Sequence, residues 1–175
     1  VDYESNNKVP QTSPQARLYS DDDSKNFRIG GKGILLSPLR GGPFWLAVSG
    51  SLGRNLSEHN SKQGYAFGEI TGTWQFNSKL AFSVNPKVAW SGAGNLYGLG
   101  LGANFAISQK LELLPEIIIA GDNFSKTTST IGLRYHFSDS IATTVYASTA
   151  ASLNNIGQLL GKGDTNVGAM ITIKI

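Results

Sequence analysis

Along most of the chain, apolar and polar residues alternate one by one, which is the pattern of β-strands with two unlike faces. One stretch shows it clearly: Ile70, Trp74 and Phe76 point one way, and Glu69 and Gln75 point the other. No window places apolar residues at positions i, i+3, i+4 and i+7 together with capping residues. The pattern therefore predicts an all-β chain.

A short hairpin with the same layout occurs three times. Each copy places three polar residues between two apolar anchors, and the anchor pairs are Phe76 with Leu80, Ile107 with Leu111, and Phe137 with Ile141. The first anchors of successive copies lie 31 and 30 residues apart. A fixed period of this length, with two strands and a turn in each unit, indicates a repeated supersecondary unit.

The hairpins also predict a register, because side chains that face each other across two strands should match. In the first hairpin we expect Phe76 to lie opposite Leu80. With this kind of pairing, the apolar side chains of both strands lie on the same face of the sheet in all three hairpins. The further predicted pairs are Trp74 with Phe82, Gly72 with Val84, Ala66 with Trp90, Phe105 with Leu113, Leu101 with Ile117, Tyr135 with Thr143, and Leu133 with Val145.

The chain divides into a tail and one domain. Residues 1–15 are polar, contain two prolines and are predicted to be a flexible tail, and residues 16–175 form the β-domain. Nine strands are clear, and Ala16–Tyr19 would make ten. The sequence leaves the number of strands open between eight and ten. Ten is favoured, because an even number returns both termini to the same side. The longest connection runs from residue 151 to residue 164.

Composition excludes several classes of protein. The chain has 175 residues, enough for one domain, and no run of 18 apolar residues that could form a transmembrane helix. Cysteine is absent, so disulfides and thiolate metal sites are excluded. The net charge of +3 is dispersed, with no basic stripe for nucleic acid. Hydrophobic content of 40% suits a soluble protein, but also a transmembrane barrel, whose alternating strands hide their hydropathy in the average.

The decisive question is which face is buried. In a soluble calyx the apolar face points inward, whereas in a transmembrane barrel it meets lipid and the polar face lines the interior. Gly98, Gly100 and Gly102 form a stripe on the polar face, where solvated glycine would weaken a strand. Inside a narrow barrel the stripe makes room for long side chains. This observation favours the transmembrane barrel.

Charges and aromatic residues agree with that interpretation. Charges of both signs lie on the polar face and are predicted to pair inside the barrel, or to line a pore if the lumen is open; they are Arg28, Lys32, Glu69, Lys87, Glu112, Glu116, Arg134 and Lys174. Aromatic residues on the apolar face are predicted to form two girdles at the membrane interfaces; they are Trp74, Phe76, Phe82, Trp90, Tyr97, Phe105, Tyr135 and Phe137. Short turns at one end and longer loops at the other are typical of outer-membrane barrels.

Over residues 16–175 the chain resembles the small outer-membrane β-barrels of Gram-negative bacteria, the opacity-protein and porin-like superfamily. The resemblance rests on the strand pattern and on the segment Gly132-Leu133-Arg134-Tyr135-His136-Phe137 with its short turn. It implies a single antiparallel up-and-down barrel in the outer membrane, a removed signal peptide, and contact with the lipid bilayer and lipopolysaccharide. A protein partner or an oligomer is compatible with it, and no cofactor is implied. The family usually ends in an aromatic residue, whereas this chain ends in Ile175.

The remaining candidate residues are explained more simply without a functional role. His59 is read as a solvated loop residue, and the acidic run Asp21–Asp23 as a solvated turn rather than a calcium site. His136 and Ser138 superficially resemble the catalytic pair of outer-membrane lipid A deacylases, but Ser138 falls in a predicted turn and no glutamate follows residue 116. No catalytic, cofactor-binding or metal-binding residue is therefore assigned, and the chain is predicted not to be an enzyme.

Three functions are open at this point. The first is a non-enzymatic outer-membrane barrel with a structural, partner-binding or narrow-channel role. The second is a porin-type diffusion channel, which would need about sixteen strands per chain or several chains that complete one barrel. The third is a soluble β-barrel that binds a small hydrophobic ligand.

Overall fold

The computed structural model describes residues 2–5, 25–56, 64–92, 94–122, 126–151, 153 and 155–173. Most of them lie in ten strands: β1 (Asp2–Ser5), β2 (Lys25–Leu36), β3 (Trp45–Asn55), β4 (Gly64–Asn77), β5 (Leu80–Ser91), β6 (Gly94–Ala106), β7 (Leu111–Ala120), β8 (Thr128–His136), β9 (Ile141–Ala150) and β10 (Gly161–Ile173). Pro38–Arg40 forms a 3-10 turn. Asn155–Leu159 forms another 3-10 helix, called here the inner helix.

Each strand pairs with the next one along the chain in a single sheet that runs in order from β1 to β10. All nine ladders are antiparallel. The sheet is strongly curled, because the inner helix touches β4, β5, β6, β7 and β9 together, which a flat sheet could not present to one segment. The predicted all-β, up-and-down architecture is therefore confirmed.

The N-terminus differs from the prediction. Residues 2–5, assigned above to a flexible tail, form β1 and pair with β2, with Asp2 opposite Arg28 and Ser5 opposite Lys25. The prediction of a flexible tail is therefore wrong for these four residues. The proposed strand Ala16–Tyr19, the acidic run Asp21–Asp23 and the loop residue His59 lie outside the described residues.

The predicted register holds at seven of the eight pairs. Those seven are Trp74 with Phe82, Gly72 with Val84, Ala66 with Trp90, Phe105 with Leu113, Leu101 with Ile117, Tyr135 with Thr143, and Leu133 with Val145. The exception is the first anchor pair. Leu80 pairs with Asn77, and the ladder shifts between Gln75 and Asn77. Phe76 is therefore the extra residue of a local bulge and does not oppose Leu80.

The repeated turns share one hydrogen bond that explains their recurring polar residues. In each hairpin the side-chain oxygen of the first polar residue accepts the backbone N–H two positions ahead, at 2.8, 3.2 and 3.3 Å. The three acceptors are Asn77, Ser108 and Ser138. Such short side chains favour turns because they replace a backbone partner locally.

The two faces of the sheet are arranged as in a transmembrane barrel. Leu101, Leu133 and Ile171 lie on the outer, convex face and are 38%, 43% and 69% exposed. Glu116 and Arg134 lie on the inner, concave face and line a cavity there. The opposite arrangement, a soluble calyx with these apolar residues enclosed, is contradicted. Among the described residues, no helix is long and apolar enough to cross a membrane.

The glycine stripe on β6 makes room for inward side chains, as predicted. A Cβ atom at Gly98 would lie 2.8 Å from Leu159 of the inner helix. At Gly100 it would lie 3.0 Å from the side chains of both Asn85 and Lys87, and at Gly102 it would lie 2.7 Å from Ser83 Oγ. The lysine can therefore cross the interior because its neighbour on β6 has no side chain.

We expect Gly100→Val to destabilise the barrel by about 1–3 kcal/mol, the usual cost of overpacking. The added side chain would collide with Asn85 and Lys87. The matched control is Gly33→Val, because nothing lies within 4 Å of a Cβ at Gly33. Urea unfolding followed by heat-modifiable gel migration measures the difference. Equal stability of the two variants would contradict the packing role of the stripe.

Candidate functional site

The connection between β9 and β10 folds into the concave side of the sheet. Ile156 and Leu159 of the inner helix have no exposed surface, and the following Leu160 is 2% exposed. They pack in one apolar cluster with Tyr65, Phe67, Ala89, Leu96, Ile118 and Ala151. From the sequence, residues 151–164 are predicted only to be a long connection, so this inward packing is not predicted.

The inner helix lies at the end of the sheet that carries the longer loops. Tyr65 and Leu96 stand near the starts of β4 and β6, and Ile118 stands near the end of β7. All three strand ends are on the long-loop side, opposite the three repeated turns. The inner helix therefore narrows the interior at that end.

A buried lysine ties the inner helix to the strands. Lys87 Nζ lies 3.0 Å from Glu69 Oε2 and 3.3 Å from Glu116 Oε1, and its side chain is only 2% exposed. It also donates a hydrogen bond to Gln158 Oε1 of the inner helix. A charge so enclosed requires opposite charges and hydrogen-bond acceptors around it. We call Lys87, Glu69 and Glu116 the upper cluster.

Neutral side chains complete the upper cluster. Ser49 Oγ donates to Glu69 Oε1 at 3.2 Å, and Asn85 Nδ2 donates to Glu116 Oε1 at 3.2 Å. Thr128 Oγ1 donates to the Gln158 carbonyl at 2.9 Å, which is a second tether for the inner helix. In the part of the chain that the structure describes, Asn85 Oδ1 is buried and has no hydrogen-bond partner.

A second cluster lies nearer the short turns. Glu112 Oε2 is 3.6 Å from Arg134 and 3.3 Å from His136 Nε2, and it accepts a hydrogen bond from Asn104 at 3.3 Å. Arg134 Nε donates to Thr144 Oγ1 at 3.1 Å. We call Glu112, Arg134 and His136 the lower cluster.

A cavity of about 410 Å³ lies on the concave side between the inner helix and the lower cluster. Glu116 and Arg134 both line it, one from each cluster. Hydroxyl groups of Thr130, Thr144 and Tyr146 and apolar side chains of Leu114, Ile118 and Met170 form other parts of the wall. The volume falls within the range of small-molecule sites.

The structure brings together five of the eight charges predicted to line the interior. Glu69, Lys87, Glu112, Glu116 and Arg134 all lie in the two clusters. Arg28 is half-buried and has an interaction partner. Lys32 is exposed on β2, and Lys174 lies outside the described residues. Whether these groups face a water-filled lumen stays a prediction.

All eight predicted interface aromatics are exposed. Six stand toward the short turns, namely Trp74, Phe76, Phe82, Phe105, Tyr135 and Phe137, and two stand at the opposite ends of their strands, namely Trp90 and Tyr97. Neighbouring rings support each other: Phe44 and Trp74 lie 5.1 Å apart between centroids, and Tyr135 and Phe137 lie 5.0 Å apart, edge to face. Their contact with membrane interfaces stays a prediction.

The weaker candidate sites gain no support from the geometry. Ser138 Oγ accepts the N–H groups of Ser140 and Ile141 in its own turn. His136 Nε2 points to Glu112, which belongs to the lower cluster. Within the described ranges, no group of three or more His, Cys, Asp or Glu side chains could hold a metal ion.

No family model and no curated protein matches the chain. A solved structure described as "KdgM porin in complex with disordered oligogalacturonate" is similar, with a TM-score of 0.63 and 10% sequence identity. The match covers 90% of this chain and 80% of that chain. At so low an identity the likeness shows the fold alone. The fold of this chain is therefore that of a transmembrane β-barrel.

Proposed function

We propose that this chain is an integral outer-membrane barrel that acts as a narrow, constricted channel for small polar solutes and has no enzymatic activity. The observation that carries the proposal is a cavity with charged and hydroxyl-bearing residues in its wall, Glu116 and Arg134 among them, inside a sheet whose outer face is apolar. Residues on that outer face contact acyl chains, and the exposed aromatics meet the headgroups of phospholipid and lipopolysaccharide.

The apolar outer face supports the membrane setting. Large apolar side chains on β2 to β10 are exposed along the whole outer surface, among them Ile29, Ile70, Ile131, Val145 and Ile171. Exposed apolar surface on this scale is far beyond the patches that soluble monomers tolerate in water. In a bilayer the same surface is solvated by lipid.

The interior supports a channel that is narrow rather than wide. The inner helix fills part of the cross-section at the long-loop end, while the cavity below it has hydroxyls and charges in its wall. A structural barrel with a solid core would have no need of such a cavity. A wide diffusion porin would not have an apolar cluster packed inside its entrance.

The charge pattern argues against acidic polymers as the solute. Oligogalacturonate, named in the description of the similar porin, is a chain of carboxylates. Glu69, Glu112 and Glu116 on the concave face offset the nearby Lys87 and Arg134. A polyanion would meet repulsion from these carboxylates at short range. We therefore propose solutes with little or no net charge.

Purified protein tests this proposal directly. We expect it to require detergent for solubility, to show heat-modifiable migration on gels, and to produce small, discrete current steps in planar bilayers. A monodisperse monomer without detergent would instead indicate a soluble barrel. Large steps with weak selectivity would indicate a wide porin, and a refolded protein that never conducts would leave only a structural or partner-binding role.

Loosening the inner helix should widen the channel. We expect Ile156→Ser with Leu159→Ser to raise single-channel conductance several-fold, because the apolar contacts that hold the helix against the strands would be lost. The matched control is Leu56→Ser, which changes an exposed apolar residue at the same end of the barrel. Unchanged conductance of the double variant would show that the inner helix does not limit ion flow.

Removing the buried lysine should alter both stability and selectivity. We expect Lys87→Met to cost about 3–5 kcal/mol, because Glu69 and Glu116 would lose their shared partner. Uncompensated carboxylates would also shift the reversal potential in a salt gradient toward cation selectivity. Adding Glu69→Gln should recover part of both effects, and Lys110→Met in an exposed turn should have neither. A reversal potential unaffected by Lys87→Met would place the cluster outside the ion path.

A further inference from the structure

The Glu116 carboxylate and the Arg134 guanidinium belong to residues of the cavity wall at different positions along the strands. Glu116 pairs with Thr130 across β7 and β8, while Glu112 pairs with Arg134, so the two charged rows are four residues apart. This corresponds to about 13 Å between backbone positions at about 3.3 Å per residue. Both groups line the same cavity, and its volume of about 410 Å³ limits a ligand that contacts both to a small molecule.

Both charged groups remain partly open to the cavity. The side chains of Glu116 and Arg134 are 32% and 31% exposed, in contrast to 2% for Lys87. Glu116 is held by Lys87 and Asn85, and Arg134 is held by Glu112 and Thr144. Their internal partners orient them without covering them, so both can bind a further group.

The space between the two rows exists because position 132 has no side chain. Gly132 pairs with Leu114 midway between the charged rows, and both line the cavity. A Cβ at Gly132 would lie 3.4 Å from Thr144 Cγ2 and 3.5 Å from Leu114 Cβ, which is ordinary contact. Close packing therefore does not require glycine here, unlike at Gly102. A longer side chain at position 132 would instead occupy the cavity.

Charge compensation selects the type of ligand. A purely anionic solute would be repelled by Glu116, and a purely cationic solute by Arg134. A neutral sugar would exclude water from the open sides of both charged groups and would bring no opposite charge to either, which is costly. A zwitterion gains at both ends, since its ammonium can pair with Glu116 and its carboxylate can form a bidentate contact with Arg134.

We propose that the cavity is a binding site for small zwitterions whose ammonium and carboxylate are several bonds apart, with dipeptides as the size class. The ammonium binds Glu116, whose carboxylate is oriented by the Asn85 side-chain amide. The carboxylate binds Arg134. A side chain of the ligand packs on Leu114, Ile118 and Met170. The inference rests on the proposed channel function, for which it names the class of solute.

The test is calorimetric titration of the protein, refolded in detergent, with glycyl-leucine and two capped analogues. N-acetyl-glycyl-leucine lacks the ammonium, and glycyl-leucinamide lacks the carboxylate. We expect each capped analogue to bind at least about tenfold more weakly than glycyl-leucine, because a hydrogen bond to a charged group is lost at one end. Equal binding of all three ligands, or no binding of glycyl-leucine at millimolar concentration, would overturn the proposal.

Variants separate direct contact from a structural role. Glu116→Gln should weaken glycyl-leucine and leave the N-acetyl analogue unchanged, whereas Arg134→Gln should weaken glycyl-leucine and leave the amide unchanged. Gly132→Met should weaken every ligand by filling the cavity. Asp164→Asn and Lys110→Gln, which change exposed charges elsewhere, are the controls and should bind as the unmodified protein does. If Glu116→Gln and Arg134→Gln weaken all three ligands equally, the two residues only shape the fold, and the proposal fails.

Binding in detergent is independent of current in a bilayer, so the two proposals can fail separately. A protein that conducts but does not discriminate among the three ligands retains the channel function and loses the zwitterion site. A protein that binds glycyl-leucine selectively but never conducts retains the site and loses the channel.

Discussion

The structure depends on one constraint: strands surrounded by lipid must turn apolar side chains outward and satisfy every polar group internally. The outer face of β2 to β10 meets the first demand with leucine, isoleucine, valine and aromatic residues. The second demand falls on a narrow interior, where there is space for only a few side chains. Glycine, hydroxyl groups and compensated charges therefore make up much of the concave face, beside the apolar cluster around the inner helix.

In the upper cluster, the space available inside the barrel and the charge of its side chains depend on each other. Lys87 is long enough to reach Glu69 on β4, Glu116 on β7 and Gln158 on the inner helix, because Gly100 leaves its path clear. An unpaired lysine at this depth would be strongly unfavourable. The Lys87 side chain thus neutralises Glu69 and Glu116 and also holds the inner helix in place. The width of the interior and its charge therefore depend on the same residue.

The sequence alone predicts the features that follow from the alternation of side chains along each strand, namely which face a residue lies on and which residue it pairs with. Once Trp74 faces outward, the residues two positions away must also face outward, and cross-strand matching then places Phe82 opposite it. Contacts that depend on non-neighbouring strands escape such reasoning. Ile156, Leu159 and Leu160 carry a short helical spacing that signals an apolar face, but their partners come from distant parts of the chain. The pairing of Lys87 with Gln158 spans 71 residues and has no local signal.

The position of the inner helix divides the interior into two regions with different physical roles. In the proposed channel, the apolar side chains packed at the long-loop end would restrict passage by size, since they offer no hydrogen bond to a solute that must lose its water. Beyond them, Glu116 and Arg134 line the cavity, and at the proposed site their opposite charges would compensate that loss of hydration for a solute carrying both signs. The proposed channel would reject large solutes first and singly charged ones second, and Lys87 links the two steps because it contacts both Glu116 and Gln158 of the inner helix.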